Sequence, residues 1–375
     1  MVDGQTARTY AMLVLIVIVA PLTGIFASSV AARGRAQHPV SIYAAESRNA
    51  EARLIDVTPE PPRGDATRAA GDGDAAPAPA GQGAQPPDAA STDPAAGGEH
   101  STPEAAQQPA AATAPPTPAP SLFSNAQVVA FYGTPRSSGL GVLGMFDPPE
   151  LADWLHQEAG IYDQLNGDRG VVPALDLIYA LVQSEPTDNG LYLSYLDDAT
   201  VQSYIALAEQ NDFQLILDLQ VGRGDPVEEV RKVEPYLLNP RVHVAVDPEY
   251  AVGPDGVPIA TPGEITGDQI NAIQDYLGAL VAARGLPPKI FVIHQFMENT
   301  VVGGDVTKQV PNVNLVLNMD AFGAAPDKQD KYRLFASRAY AHHRSFNVFL
   351  KQDAPVASEQ EVMSLTPLPD MVIYQ

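Results

Sequence analysis

From residue 121 onward, apolar runs of five to eleven residues alternate with stretches whose apolar positions recur every three or four. The runs are "QVVAFYG" (127–133), "VVPALDLIYAL" (171–181), "FQLILDLQ" (213–220), "VHVAVDPEY" (242–250), "KIFVIHQF" (289–296), "VNLVLNMDAF" (313–322), "FNVFLK" (346–351) and "MVIYQ" (371–375). Most are continuously apolar rather than alternating. That is the mark of parallel strands covered on both faces.

Between them lie amphipathic segments with helix-start signals. Asp147, two prolines and Glu150 read as a capping box ahead of Leu151, Trp154 and Leu155. Val201, Ile205 and Ala208 share one face of a second helix. Asp225-Pro226 opens a third, and Thr266 with Gln269 caps a long one whose inner stripe is Ile270, Ile273, Leu277 and Leu280. Ser358 with Glu361 starts a short helix before the last strand. The segment 297–312 reads as a loop, no helix follows the eighth strand, and His342-His343 read as the solvated face of a helix. Eight strands with helices between nearly all of them predict an α/β fold, a (β/α)₈ TIM barrel. A doubly wound sheet is disfavoured, because no Gly-x-Gly-x-x-Gly turn follows the first strand. "GTPRSSGLGVLG" (133–144) reads instead as a long loop over the barrel mouth.

The pattern is different upstream. Residues 11–27, "AMLVLIVIVAPLTGIFA", are apolar and uncharged, with small residues at Val30 and Ala32 in the spacing of a signal-peptidase site. The segment 1–32 is expected to be a signal peptide or a membrane anchor. Residues 33–120 are rich in Pro, Ala and Gly and have little to bury, so a disordered tether is expected there. Anchor, tether and folded unit (121–375) together predict an extracytoplasmic protein, displayed at the cell surface or secreted, with Arg33 and Arg35 as the features that argue the other way.

Composition narrows the chemistry. The 375-residue chain has 22 Lys and Arg against 45 Asp and Glu, a formal net charge of −23, and no cysteine. An acidic surface argues against nucleic acid as a partner, and the absence of cysteine removes thiolate nucleophiles, thiolate metal sites and disulfides. No cofactor motif is present, and no Gly-x-Ser-x-Gly elbow.

Polar residues cluster late in the strands: Asp176, then Asp218 and Gln220, then Asp247 and Glu249, then His294 and Gln295, then Asn318 and Asp320, with Lys351 and Tyr374 ending the last two. In a barrel, the strands' C-terminal ends form the functional mouth. If the fourth strand runs through "VHVAVDPEY", alternation turns Asp247 and Glu249 the same way, and paired carboxylates drive their pKa values apart. Tyr192, Tyr195, Tyr250 and Phe322 are candidates for stacking on a sugar, and Trp154 is expected in the core.

Asp247-Pro248-Glu249 at the end of the fourth strand resembles the Asp-x-Glu of chitinase-type glycoside hydrolases. The resemblance implies Glu249 as proton donor and Asp247 as its orienting partner on a carbohydrate or cell-wall glycan. Ala245 stands where that family has a further Asp, Pro248 is atypical of it, and Met319-Asp320 replaces its Tyr-Asp pair. A more distant glycosidase-like pairing of Glu249 with Asp320 is therefore also open, with Asp176, Asp218, Gln220, His294, Gln295, Asn318, Tyr250 and Tyr374 as substrate-binding candidates. Two further readings stand beside it: a glycan-binding barrel without turnover, and a metal-dependent hydrolase centred on His294 with Asp176, Asp218 and Asp247.

Overall fold

The computed structural model describes residues 120–375. The expected signal or anchor and the tether lie outside the described residues. Within the described ones, no helix is long and apolar enough to cross a membrane.

Eight strands form one closed, all-parallel barrel: β1 (Ala126–Gly133), β2 (Gly170–Val182), β3 (Gln214–Leu219), β4 (Val242–Val246), β5 (Lys289–Gln295), β6 (Val313–Met319), β7 (His343–Val348) and β8 (Met371–Tyr374). Each pairs with its sequence neighbours, and β1 closes the ring by pairing with both β2 and β8. The helices between them are α1 (Pro148–Leu165), α2 (Asp198–Asn211), α3 (Pro226–Lys232), α4 (Gly267–Arg284), α5 (Ala325–Ala336) and α6 (Glu359–Met363). The architecture is the (β/α)₈ barrel that the hydrophobic runs predict.

The runs are continuous because both faces of each strand are covered. In β1, Val129 and Phe131 pack outward under α1, whereas Val128, Ala130 and Tyr132 point into the barrel. The inner core continues through Ala174, Ile178, Ile216, Ala245, Ile290, Val292, Val316, Met371 and Ile373, with Phe123 beside them. Trp154, expected in the core, is only partly buried and packs against the core's edge, its ring centroid 4.4 Å from that of Phe131.

Local signals hold with instructive exceptions. Thr266 and Ser358 make full capping boxes with Gln269 and Glu361, and Asp225 accepts from the backbone N–H groups of Val227 and Glu228. Asp147 makes no side-chain cap, because Pro148 and Pro149 fill the first turn and have no N–H to donate. The 297–312 segment has short 3₁₀ turns and no α-helix, as expected. Several strand ends differ from the sequence reading. Strand β4 stops at Val246, where Pro248 opens a 3₁₀ turn (Pro248–Tyr250). Strand β6 stops at Met319, and β7 begins three residues earlier than its apolar run. His343 is therefore not helical: it opens β7, its ring stacked 4.3 Å from that of Phe123.

Candidate active site

Alternation along the strands sends one polar side chain after another into the upper barrel. Asp176 on β2, Asp218 on β3, His294 on β5 and Asn318 on β6 are all buried there. His294 is the hub. Its Nε2 stands 3.7 Å from Oδ2 of Asp176 and 4.0 Å from Oδ1 of Asp218, and its Nδ1 stands 3.5 Å from Oδ2 of Asp320. The Asn318 amide lies 3.1 Å from the same Nδ1. The Tyr132 hydroxyl donates to Oδ2 of Asp218 at 3.1 Å, and Asn347 on β7 donates to Oδ1 of Asp320 at 2.7 Å.

Burial alone would strip the proton from the His294 ring. The hydrogen bond to Asp320 and the charges of Asp218, Asp176 and Asp320 override it and raise the ring's pKa to about 10. That balance favours the imidazolium form at neutral pH. One cation cannot neutralise every acid around it, so the carboxylates compete. Burial pushes Asp176 and Asp247 well above the usual carboxylate range, against the pull of His294, and Asp218 also rises. Glu249 rises to about 7: burial comes first, then repulsion from Asp320, opposed by a hydrogen bond from Tyr250 and by the charges of His294 and Lys331. An acid in that range exchanges its proton near neutral pH, the property a general acid needs.

Above this buried layer opens a cavity of about 420 Å³. Asp247, Glu249 and Asp320 line it, with Tyr250, Phe296, Phe322 and Phe349 among its apolar walls. Asp247 and Glu249 do meet in one place, though not as successive same-facing residues of a strand. Asp247 leaves β4 extended, and the 3₁₀ turn at Pro248 brings Glu249 to the same cavity. The loop after β1 forms another wall through Gly139, Leu140, Gly141 and Met145, the covering position expected of it. Gly141 has φ of +99°, and a Cβ there would meet the Tyr132 carbonyl oxygen at 2.5 Å, so only glycine lets this loop lie against β1.

The remaining candidates divide. Gln220 and Tyr250 line the cavity, and the Gln220 side chain also accepts from the Val182 N–H at 2.9 Å. Asp176, Asp218, His294 and Asn318 sit below the cavity rather than on its wall, so they bear on it through Asp320 and Asp247. Two candidates point away. Gln295 follows inward-facing His294 and therefore faces outward, where its amide donates to the carbonyls of Met297 and Glu298. Tyr374 follows inward-facing Ile373, and its hydroxyl meets that of Tyr162 on α1 at 2.9 Å. Tyr192 and Tyr195 are likewise not stacking platforms: Arg223 lies over the first, and Glu229 and Lys232 bind the hydroxyl of the second. Lys351 lines the cavity, with its ammonium donating to the Ser138 carbonyl at 2.8 Å.

Sequence reasoning misses Tyr132, Asn347, Phe296 and Phe349. The signal for Tyr132 and Asn347 is parity. Each lies an even number of positions from an inward-facing strand residue, Ala130 and Ser345 respectively. Among the described residues no group of three or more His, Asp or Glu side chains is arranged to hold a metal ion, so the metal-dependent reading gains no site.

No protein-family model matches the chain, and no curated protein does. Among solved structures it is similar to a sugar phosphate isomerase/epimerase from Parabacteroides distasonis, at 9% identity and a TM-score of 0.28, over 71% of this chain and 88% of that one.

Proposed function

We propose that the barrel is a glycoside hydrolase-type domain that cleaves a glycan with a carboxylate pair. Glu249 is the acid: its proton passes to the glycosidic oxygen as the bond from that oxygen to the anomeric carbon breaks. Asp320 is the second carboxylate. It faces the positive charge developing on the sugar and takes the proton of the water whose oxygen bonds to the anomeric carbon. The sum is one water consumed and two hydroxyl-ended fragments released, with the proton on Asp320 returned to Glu249 through solvent. Asp247 orients the substrate beside Glu249.

One observation carries this reading. Two acids line one cavity in unlike surroundings: Glu249 is held to about 7, while Asp320 is tied to an imidazolium and to the Asn347 amide. Acid–base roles are set by such contrasts. The aromatic walls suit the apolar face of a sugar ring. The apolar 11–27 run and the Pro/Ala-rich stretch support export and tethering, and so a cell-envelope or environmental glycan. The test is turnover of a panel of envelope glycans by the full chain and by Glu249→Gln, with product ends counted. Hydrolysis that persists in the variant removes the proposal. Binding without products over long incubation assigns the cavity to glycan recognition alone.

A further inference from the structure

The cavity's charge is unbalanced at one atom. Asp247 is 4% exposed, lines the cavity, and its Oδ1 is buried with no hydrogen-bond partner among the described residues. Leaving a buried carboxylate oxygen unmatched costs free energy unless a ligand supplies the donor.

None of the nearby cations hydrogen-bonds that carboxylate oxygen. His294 is shared among Asp176, Asp218 and Asp320. Lys351 donates to the Ser138 carbonyl, and Lys331 lies over the Phe296 ring, 4.7 Å from its centroid. The groups whose charges bear on Asp247 are Glu249, Asp218, His294 and Asp320, three acids to one cation. A phosphate or carboxylate on the substrate would face three wall acids and gain little from a Lys351 ammonium that already donates to Ser138. A donor carrying positive charge would meet an unmatched acceptor among π-faces that also attract cations.

We infer that the cavity selects a sugar bearing a protonated primary amine, with the ammonium donating to the Asp247 carboxylate. The inference rests on the hydrolase reading only for the word sugar; the charge argument is independent of turnover. Placing an ammonium there also makes ionised Asp247 favourable, so binding releases protons.

The test compares three tetramers of one ring size: glucosamine, N-acetylglucosamine and glucose. Each is titrated calorimetrically into Glu249→Gln, in two buffers of different ionisation enthalpy. Thermal shifts of the wild-type protein with the same tetramers provide a reading independent of that variant. The expected result is a preference of about tenfold or more for the glucosamine tetramer, the least that a charge-assisted hydrogen bond supplies. That binding should release protons, and Asp247→Asn should abolish the preference while cooperative melting is kept. Equal or tighter binding of the acetylated or neutral tetramer overturns the inference, as does a preference unchanged in Asp247→Asn. The two proposals fail separately. Turnover of a neutral glycan with no amine preference sinks this one and leaves the hydrolase, whereas amine preference without turnover does the reverse.

Discussion

His294 and Asp320 join the barrel's dry interior to its open mouth: ring Nδ1 and carboxylate Oδ2 are 3.5 Å apart, the first buried among acids and the second on the cavity wall. The ring's charge is what makes the stack of acids above and below it tolerable. Removing the partner of buried charges costs more than the pair contributes, because the remaining charges are stranded.

His294→Gln should therefore lose about 3–5 kcal/mol of stability at pH 7, the usual cost of breaking a buried ion pair. The sign with pH follows from a folded pKa of about 10 against the ordinary histidine value of 6.5. A raised pKa contributes stability that is fully present below the unfolded value and lost as pH rises through the folded one. The gap between wild type and variant, measured by urea denaturation, should narrow from pH 7 toward pH 10. A gap that stays constant or widens would show that the ring is not a cation in the folded protein.

The pH profile of turnover should respond to Lys331. Its positive charge pulls the Glu249 carboxyl down from where burial and Asp320 would put it. Lys331→Met removes that pull, raises the Glu249 pKa and keeps the acid protonated to higher pH. The alkaline limb of kcat, near pH 7 in wild type, should move upward by on the order of half a unit. A downward move, or none, would mean that another group sets the limb.

The strands are legible in the sequence because two-sided burial writes itself as unbroken apolar runs, and the run "VHVAV" shows it plainly. The carboxylates after it are legible as candidates for the same reason: nothing in a dry strand explains Asp247 and Glu249. What is not legible is how far the strand's alternation extends. The strand ends at Val246, four residues before the run does, and Glu249 reaches the cavity by a turn at Pro248 rather than by parity. The placing of the late-strand polar residues at the mouth fails at Asp176 and Asp218. These lie a layer deeper beside His294 from another strand, whose charge offsets part of the cost of burying them, a contact between residues far apart in sequence. Tyr374 and Gln295 fail by parity alone, each one step past an inward neighbour.

A second buried acid, remote from the cavity, gives stability its own pH dependence. Glu158 on α1 is pushed up to about 7 by burial, against a lowering hydrogen bond from Tyr374. Folding thus favours its protonated form. Its contribution is full below the ordinary glutamate value of 4.5 and is lost as pH rises through 7, worth at most about 3 kcal/mol. Glu158→Gln should flatten the fall in the urea midpoint between pH 5 and 8. An unchanged slope would place the titration elsewhere.

The closing strand is the sharpest architectural test. Strand β8 pairs with β1 through Val128↔Met371 to Phe131↔Tyr374 and with β7 through Ser345↔Met371 to Val348↔Tyr374, so it is the seam of the barrel. Its four side chains are all buried: Met371 and Ile373 fill the interior, and Val372 and Tyr374 pack under the helices. At about 1.5–3 kcal/mol for each large apolar side chain, removing them forfeits roughly 6–12 kcal/mol. That is comparable to the whole stability of a typical domain, about 5–15 kcal/mol. Deletion also bares the facing edges of β1 and β7, whose backbone groups would then need water inside a former core. Truncation at residue 370 should abolish cooperative melting and leave an aggregating chain, whereas Tyr374→Phe, which loses the hydroxyl's bonds to Tyr162 and Glu158 but no apolar packing, should melt cooperatively a few degrees lower. A soluble truncation with a sharp melting transition would show that seven strands suffice. The cavity's position above a closed ring would then have no structural basis.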